Sequence, residues 1–204
     1  MSQPVGGHHL RVGLLGGSFN PAHEGHRQLS LMALHGLGLD RVWWLVSPQN
    51  PLKPRAGMAA LGHRLAGARA LVGGDRRFVV TDLEQALATR FTLDTVRRLK
   101  QLYPGARFVW LMGADNLIQA PRWHRWGDLF ATVPIAVIDR PTYACRALAG
   151  PAATRFRGRR VAERDKRALA DRTPPAWVFL RWRTSPASAT AIRAGGAGSP
   201  VGDP

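Results

Sequence analysis

Apolar residues along the chain fall into short unbroken runs and longer stretches with helical spacing. Residues 11–15 form an apolar run that ends in Gly16-Gly17 and Ser18-Phe19-Asn20-Pro21, which predicts a buried strand opening into a tight turn. From Glu24 the apolar residues Leu29, Met32, Ala33 and Leu37 recur at helical spacing, until Gly36 and Gly38 stop the pattern. Residues 42–46 (Val-Trp-Trp-Leu-Val) predict a second strand, and 47–54, interrupted by Pro48, Pro51 and Pro54, must be loop. A helix over 61–72, a short strand over 78–80 and a helix over 92–102 follow, the last with Leu93, Val96 and Leu99 at intervals of three. Residues 107–112 return as a strongly apolar strand, and after Gly113-Ala114-Asp115 comes an aromatic-rich segment over 117–130. Strands over 134–138 and 177–180 flank a looser Ala/Arg region, and 188–193 start a final short helix. This alternation predicts an α/β domain with a doubly wound parallel sheet, helices on both faces, and ligands at the carboxyl ends of the strands. No internal repeat interrupts it.

Composition narrows the class. A chain of 204 residues suits one domain with a real core, and 45% hydrophobic with 21% charged residues excludes general disorder. The apolar runs over 42–46 and 133–138 are far shorter than the roughly 20 residues a membrane helix needs, so no transmembrane span is expected. The start of the chain carries Gly6-Gly7-His8-His9 where a secretory signal would have a basic region and an apolar stretch. A lone Cys145 excludes an intramolecular disulfide and a Cys-rich metal site. Together these features suggest a cytoplasmic protein.

The formal net charge of +16 points on its face to a polyanion. However, 26 of the 29 basic residues are Arg, and only Lys53, Lys100 and Lys166 are Lys, a skew that a GC-rich coding sequence produces without selection for binding. The densest basic stretch, 155–167, contains Glu163 and Asp165, has helical character and reads as a solvated face. The field still favours a small phosphorylated substrate.

The chemistry concentrates at the junction of the first strand and first helix, in Gly16-Gly17-Ser18-Phe19-Asn20-Pro21-Ala22-His23-Glu24-Gly25-His26. Small residues let the backbone approach an anion, a helix N-terminus offers unpaired amides, and imidazoles three residues apart share one helical face. Such a constellation can bind a phosphoryl group. No third His, Cys or carboxylate at ligand spacing accompanies His23 and His26, so a protein-held metal is not expected there.

The whole pattern resembles the signature of the nucleotidyltransferase superfamily, G-G-[ST]-F-[DN]-P-x-H-x-G-H. Ser188-Ala189-Thr190-Ala191-Ile192-Arg193 resembles the S-[SA]-T-x-[IL]-R element near the C-terminus of the same families. Gly113-Ala114-Asp115 followed by Pro121-Arg122-Trp123-His124 is similar to the G-x-D and Trp segments of bacterial nicotinate-nucleotide adenylyltransferases. Order and spacing match over nearly the whole chain. The resemblance implies a single Rossmann-like domain over residues 1–194, with 195–204 as a flexible C-terminal tail.

It further implies AMP transfer from ATP to nicotinate mononucleotide, with Mg²⁺, giving deamido-NAD and pyrophosphate. His23 and His26 would hold the transferring phosphoryl group, and Lys53 and Arg193 would draw charge off the leaving pyrophosphate. Gly16, Gly17, Ser18 and Phe19 belong to the ATP side, Phe19 chiefly as a structural member, and Ser188 and Thr190 would add hydroxyl donors. Asp115 would accept hydrogen bonds from the adenosine ribose. Phe91, Thr92 and Trp123 would form the nicotinate mononucleotide pocket, Trp123 stacking on the pyridine ring, whereas Trp126 reads as core. His8, His9, His35, His63 and His124 read as solvated or capping residues, although His63-Arg64 resembles a family position at a helix start.

Two departures stand out. Asn20 occupies a position where many relatives have Asp, so Mg²⁺ is expected on ATP phosphates and water. The chain also ends soon after Arg193, where many relatives add a helix; if that helix covers Leu180, a homo-oligomer is one way to replace it. Rival readings are a pantetheine-phosphate or nicotinamide-mononucleotide adenylyltransferase and, from another class, a basic nucleic-acid-binding module. The last explains the Arg content but neither ordered motif. ATP and nicotinate mononucleotide are the expected partners, with neither nucleic acid nor membrane.

Overall fold

The first strand, β1 (Leu10–Gly17), divides its side chains by the two-residue period of extended backbone. Val12 and Leu14 join Leu93, Val96 and Leu99 on one face of the sheet, and Leu15 joins Leu29, Ala33, Leu34 and Leu37 on the other. The computed structural model from which this is seen describes residues 9–48, 57–140 and 142–181. Lys53, the elements over 188–193 and the tail over 195–204 lie outside those residues.

The remaining strands are β2 (Arg41–Val46), β3 (Phe78–Thr81), β4 (Ala106–Gly113), β5 (Ile135–Ile138) and β6 (Trp177–Leu180). They form one sheet in the order β3-β2-β1-β4-β5-β6, and every pairing is parallel. A parallel sheet covered on both faces needs strands apolar on both sides, and the fully buried β5 and β6 show it. On one face lie α1 (Glu24–Leu37) and α2 (Leu61–Val72). The other carries α4 (Thr92–Leu102), α6 (Trp126–Thr132), α7 (Ala144–Ala149) and α8 (Pro151–Arg155). Two short helices, α3 (Leu83–Ala86) and α5 (Ala114–Gln119), follow the carboxyl ends of β3 and β4.

Several sequence expectations need correcting. Gly16 and Gly17 do not make the turn; they are the last residues of β1, paired with Leu45 and Val46. Gly16 is small for a packing reason, since a Cβ there would lie 2.5 Å from the Trp110 ring. Gly36 does not stop α1 but lies within it, and the stop comes from Gly38 at φ 63°, the left-handed conformation that glycine tolerates at a helix end. The aromatic segment over 117–130 is divided between α5, a 3₁₀ turn at Ala120–Arg122 and α6.

The stretch over 155–167 is mostly exposed, as its reading as a solvated face expects, and its helical character is chiefly that of 3₁₀ turns. It folds as 3₁₀ turns at Arg157–Arg159 and Glu163–Asp171, with the Arg155 guanidinium over Trp126 and Phe156 and that of Arg160 over Trp177 and Phe179. Leu169 and Ala170 in the second of these turns are buried in the cluster that contains Leu180, itself only 3% exposed. Leu180 is therefore covered by residues of this chain. The backbone of β6 is also met from outside, because Val161 N–H donates to the Trp177 carbonyl at 2.7 Å.

Candidate active site

From the end of β1 the chain crosses to β2 on one side, while β4 lies on the other side of β1. The carboxyl ends of β1 and β4 thus diverge at a topological switch point, the place where open α/β sheets take their ligands. A cavity of about 610 Å³ opens there, lined from the β1 side by Gly16 to Asn20, His23 and His26. Met112, Gly113 and Asp115 line it from the β4 side, and Phe91, Thr92, Trp123 and His124 complete one end. Every described residue assigned to the site from sequence therefore lies on one cavity. Lys53, Ser188, Thr190 and Arg193 are outside the described residues.

His23 is the N-cap of α1 and His26 its third residue, with ring centroids 3.9 Å apart. The backbone N–H of His23 donates to His26 Nδ1 at 3.3 Å, which leaves the proton of the neutral His26 ring on Nε2. That ring is braced by Phe19 at 4.8 Å and Trp44 at 6.1 Å, and Phe19 in turn stacks on Trp44 at 5.0 Å. Phe19 takes a positive φ of 46°, which swings its side chain from the end of the strand into the core, where it is 1% exposed. Its side chain contributes to the site by holding the His26 ring, as a structural reading of it expects. Ser18 is buried beside it, and α1 presents its amino end, with the partial positive charge and unpaired amides such an end carries, to the same space.

Asp115 lies in the first turn of α5. Its Oδ1 is buried with no hydrogen-bond donor, the nearest cation being Arg140 Nε at 3.6 Å. A carboxylate oxygen in that state suits a ligand hydroxyl, which would supply the missing donor. Gly113 is required here, because a Cβ would collide with the Asp115 carboxylate and lie 3.0 Å from Arg140 Nε.

At the other end, Phe91 caps α4 and stacks on the His124 ring at 4.2 Å, with the Arg90 guanidinium 5.5 Å from the Phe91 ring centroid. Trp123 follows the 3₁₀ turn, half-buried, and faces the cavity. Trp126 instead packs edge-on against Phe130 and Phe156, away from the cavity, as its core reading expects. His124 was not singled out by sequence, because its partner Phe91 is 33 positions away and no spacing rule connects them. Arg140, Arg90 and Arg122 also line the cavity and give it a cationic rim suited to phosphates.

Two further residues were given no role from sequence, although His63-Arg64 resembles a family position at a helix start. Arg64 of α2, 3% exposed, spends its guanidinium on backbone carbonyls. Glu84 of α3 is 7% exposed on the cavity wall, and burial raises its carboxyl pKa, partly opposed by a hydrogen bond from Ser47. A carboxyl with a raised folded-state pKa favours folding most fully below the unfolded glutamate value, and that contribution is lost as pH rises through the folded value. Glu84→Gln is therefore expected to exceed wild type in stability at about pH 8, with the difference vanishing by about pH 4. Urea unfolding across that range checks it, and a difference that grows toward acid would contradict the assignment.

Among the described residues no group of three His, Cys, Asp or Glu side chains is placed to hold a metal ion. The Asn20 amide is engaged elsewhere, donating to the Gly57 carbonyl at 3.0 Å and accepting from Ala59 N–H at 3.2 Å. No described helix is long and apolar enough to cross a membrane.

Comparison with known proteins bears on the family and the fold. The family described as cytidylyltransferase-like matches residues 14–195. A Parvibaculum lavamentivorans protein named "Probable nicotinate-nucleotide adenylyltransferase" is 55% identical over 184 residues, 90% of this chain and 91% of that one. A Gluconobacter oxydans protein of the same name is 52% identical over 194 residues, 95% and 99% of the two chains. Among solved structures, Plasmodium falciparum nicotinic acid mononucleotide adenylyltransferase complexed with NaAD superposes with a TM-score of 0.65 at 15% identity, covering 91% of this chain and 83% of that one, which supports the fold alone. With half of its residues shared along nine-tenths of its length, the chain belongs to the nicotinate-nucleotide adenylyltransferases within the cytidylyltransferase-like family.

Proposed function

We propose that the switch-point cavity is where ATP and nicotinate mononucleotide meet, and that the protein transfers AMP from the first to the second in NAD biosynthesis, in the cytoplasm. The products are deamido-NAD and pyrophosphate. The observation that carries this reading is the joining, in one cavity, of an imidazole pair at a helix amino end with an aromatic recess formed by Phe91, Trp123 and His124.

The mononucleotide's 5′-phosphate oxygen attacks the α-phosphorus of ATP in line. A new P–O bond forms, the bond from that phosphorus to the bridging oxygen breaks, and its electron pair leaves with pyrophosphate. The substrate supplies the nucleophile, so the protein needs positioning and charge stabilisation rather than a covalent step. His26 donates from Nε2 to the transferring phosphoryl group, and His23 beside it adds a second donor. Asp115 accepts from a ribose hydroxyl of the adenosine. Trp123 stacks on the pyridine ring, while Phe91 and Thr92 close the pocket around it. Asn20 is committed to the loop at 57–59, so a Mg²⁺ ion accompanying ATP would be left to phosphate oxygens and water. Such an ion would supply neutralisation of phosphate charge. Lys53, Ser188, Thr190 and Arg193 complete the triphosphate side in this reading.

This reading needs no nucleic-acid partner, and the placement of Arg155 and Arg160, in the most basic stretch, over aromatic faces of the fold supports it. The test is pyrophosphate release with MgATP and, in parallel, nicotinate mononucleotide, nicotinamide mononucleotide and phosphopantetheine. Preference for the nicotinate form is expected. Preference for another acceptor removes the pocket assignment, and silence with all three, together with steeply salt-dependent DNA binding, would favour the nucleic-acid reading.

A further inference from the structure

Arg64 is a buried cation in the first turns of α2, where no acidic residue accompanies it. None of the ion pairs among the described residues involves it. A guanidinium so placed is costly, since it is desolvated and lies near the positive end of a helix. Burial lowers its pKa, but Arg remains charged at any working pH. What it gains is a set of four carbonyls. Nε donates to Ala59 at 2.9 Å, one terminal nitrogen to Ser18 at 2.6 Å and Ser47 at 2.8 Å, and the other to Pro48 at 3.1 Å.

These carbonyls belong to separate pieces of chain: the turn after β1, the residues after β2, and the entry to α2. Resting on the reading that this cavity takes ATP, we infer that Arg64 is a positioning residue for its phosphate half. The Ser18–Phe19 peptide is trans, so with its carbonyl turned to Arg64 its N–H points the opposite way, away from the guanidinium. Arg64 thus fixes the direction of a backbone donor in the turn that lines the cavity. It also ties that turn to both flanks of the segment that carries Lys53, Pro48 before it and Ala59 after it. Its charge, paired with no carboxylate among the described residues, lies behind the turn and adds to the attraction for phosphate. No carbonyl is a counter-ion, so the geometry spends a full charge where neutral donors would satisfy the same oxygens.

The test is Arg64→Lys in the full chain, which keeps the charge but not the fork. It is read by melting temperature, by steady-state kinetics with MgATP and nicotinate mononucleotide, and by calorimetric binding of tripolyphosphate and of nicotinate mononucleotide separately. The expected result is a melting temperature within a few degrees of wild type and a loss of roughly 10- to 30-fold in kcat/KM for ATP, within the 10²-fold that a misplacement of about 1 Å costs. Tripolyphosphate binding should weaken by a similar factor, and mononucleotide affinity should stay within twofold. In Arg64→Ala, millimolar guanidine should restore part of the lost tripolyphosphate binding. Equal weakening of both ligands, wild-type behaviour, or failure of Arg64→Lys to fold would each overturn the inference, the last by making Arg64 a requirement of the fold. Because the binding arms need no turnover, they read Arg64 independently; a wild-type enzyme without adenylyl transfer would instead sink the functional reading.

Discussion

His26→Ala is expected to lower kcat by about 10³-fold, the scale lost when one preorganised donor to a charged transition state is removed, while the KM for each substrate changes little. The argument is geometric. Phe19 and Trp44 fix the ring, and the His23 backbone N–H on Nδ1 fixes its tautomer, so the Nε2 donor needs no reorganisation as charge develops on the phosphoryl oxygens. The same substitution removes one helix-capping hydrogen bond and some ring packing, and a stability loss of about 1 kcal/mol accompanies it. Circular dichroism and a thermal melt separate that effect from the catalytic one. His26→Asn, which retains a polar group but not the reach of the imidazole, should recover stability before it recovers rate. Turnover near wild type in either variant would mean that His26 does not touch the transferring group.

Trp123→Ala is expected to raise the KM for nicotinate mononucleotide on the order of 10²-fold and to leave that for ATP within about twofold, since stacking on a flat heteroaromatic ring is worth about 1–3 kcal/mol. Trp123→Phe should recover most of the loss. The comparison works because Trp123 is half-buried with a face on the cavity, whereas Trp126, three residues on, is locked against Phe130 and Phe156. Trp126→Ala should instead cost about 3–5 kcal/mol at most in stability without selecting between the substrates. Equal KM losses for both substrates in Trp123→Ala would place that ring in the scaffold.

What the sequence made legible follows from the range of the forces involved. The runs over 42–46 and 107–112 announce strands because burial on both faces needs unbroken apolar residues, and the Gly16 to His26 segment announces a phosphate site because its parts are adjacent in the chain. Illegible features depend on partners distant in sequence. Arg64 meets Ser18 across 46 positions and His124 meets Phe91 across 33, and although both lie in segments that resemble family positions, nothing local says what either touches. The glycine at 16 was legible as small, but its reason, the Trp110 ring on the neighbouring strand, was not. The stretch over 155–167 was legible as a mostly exposed basic face, but the placement of Arg155 and Arg160 over the Trp126 and Trp177 rings, and the way Leu169 and Ala170 just beyond it close the core, depend on partners distant in sequence.

The contact between Val161 and Trp177 has a bearing on behaviour at high protein concentration. An open parallel sheet ends in strands whose unused backbone groups can template a strand from another molecule. Here one end, β3, is only four residues long, and on β6 the carbonyl of Trp177 is already engaged by Val161, with Arg160 laid over the adjoining rings. On the β6 side a strand from another molecule meets a carbonyl already taken, so extension there is opposed while the 160–161 segment stays in place. Conditions that loosen that segment while the core stays folded are therefore the ones expected to expose the β6 edge to another molecule.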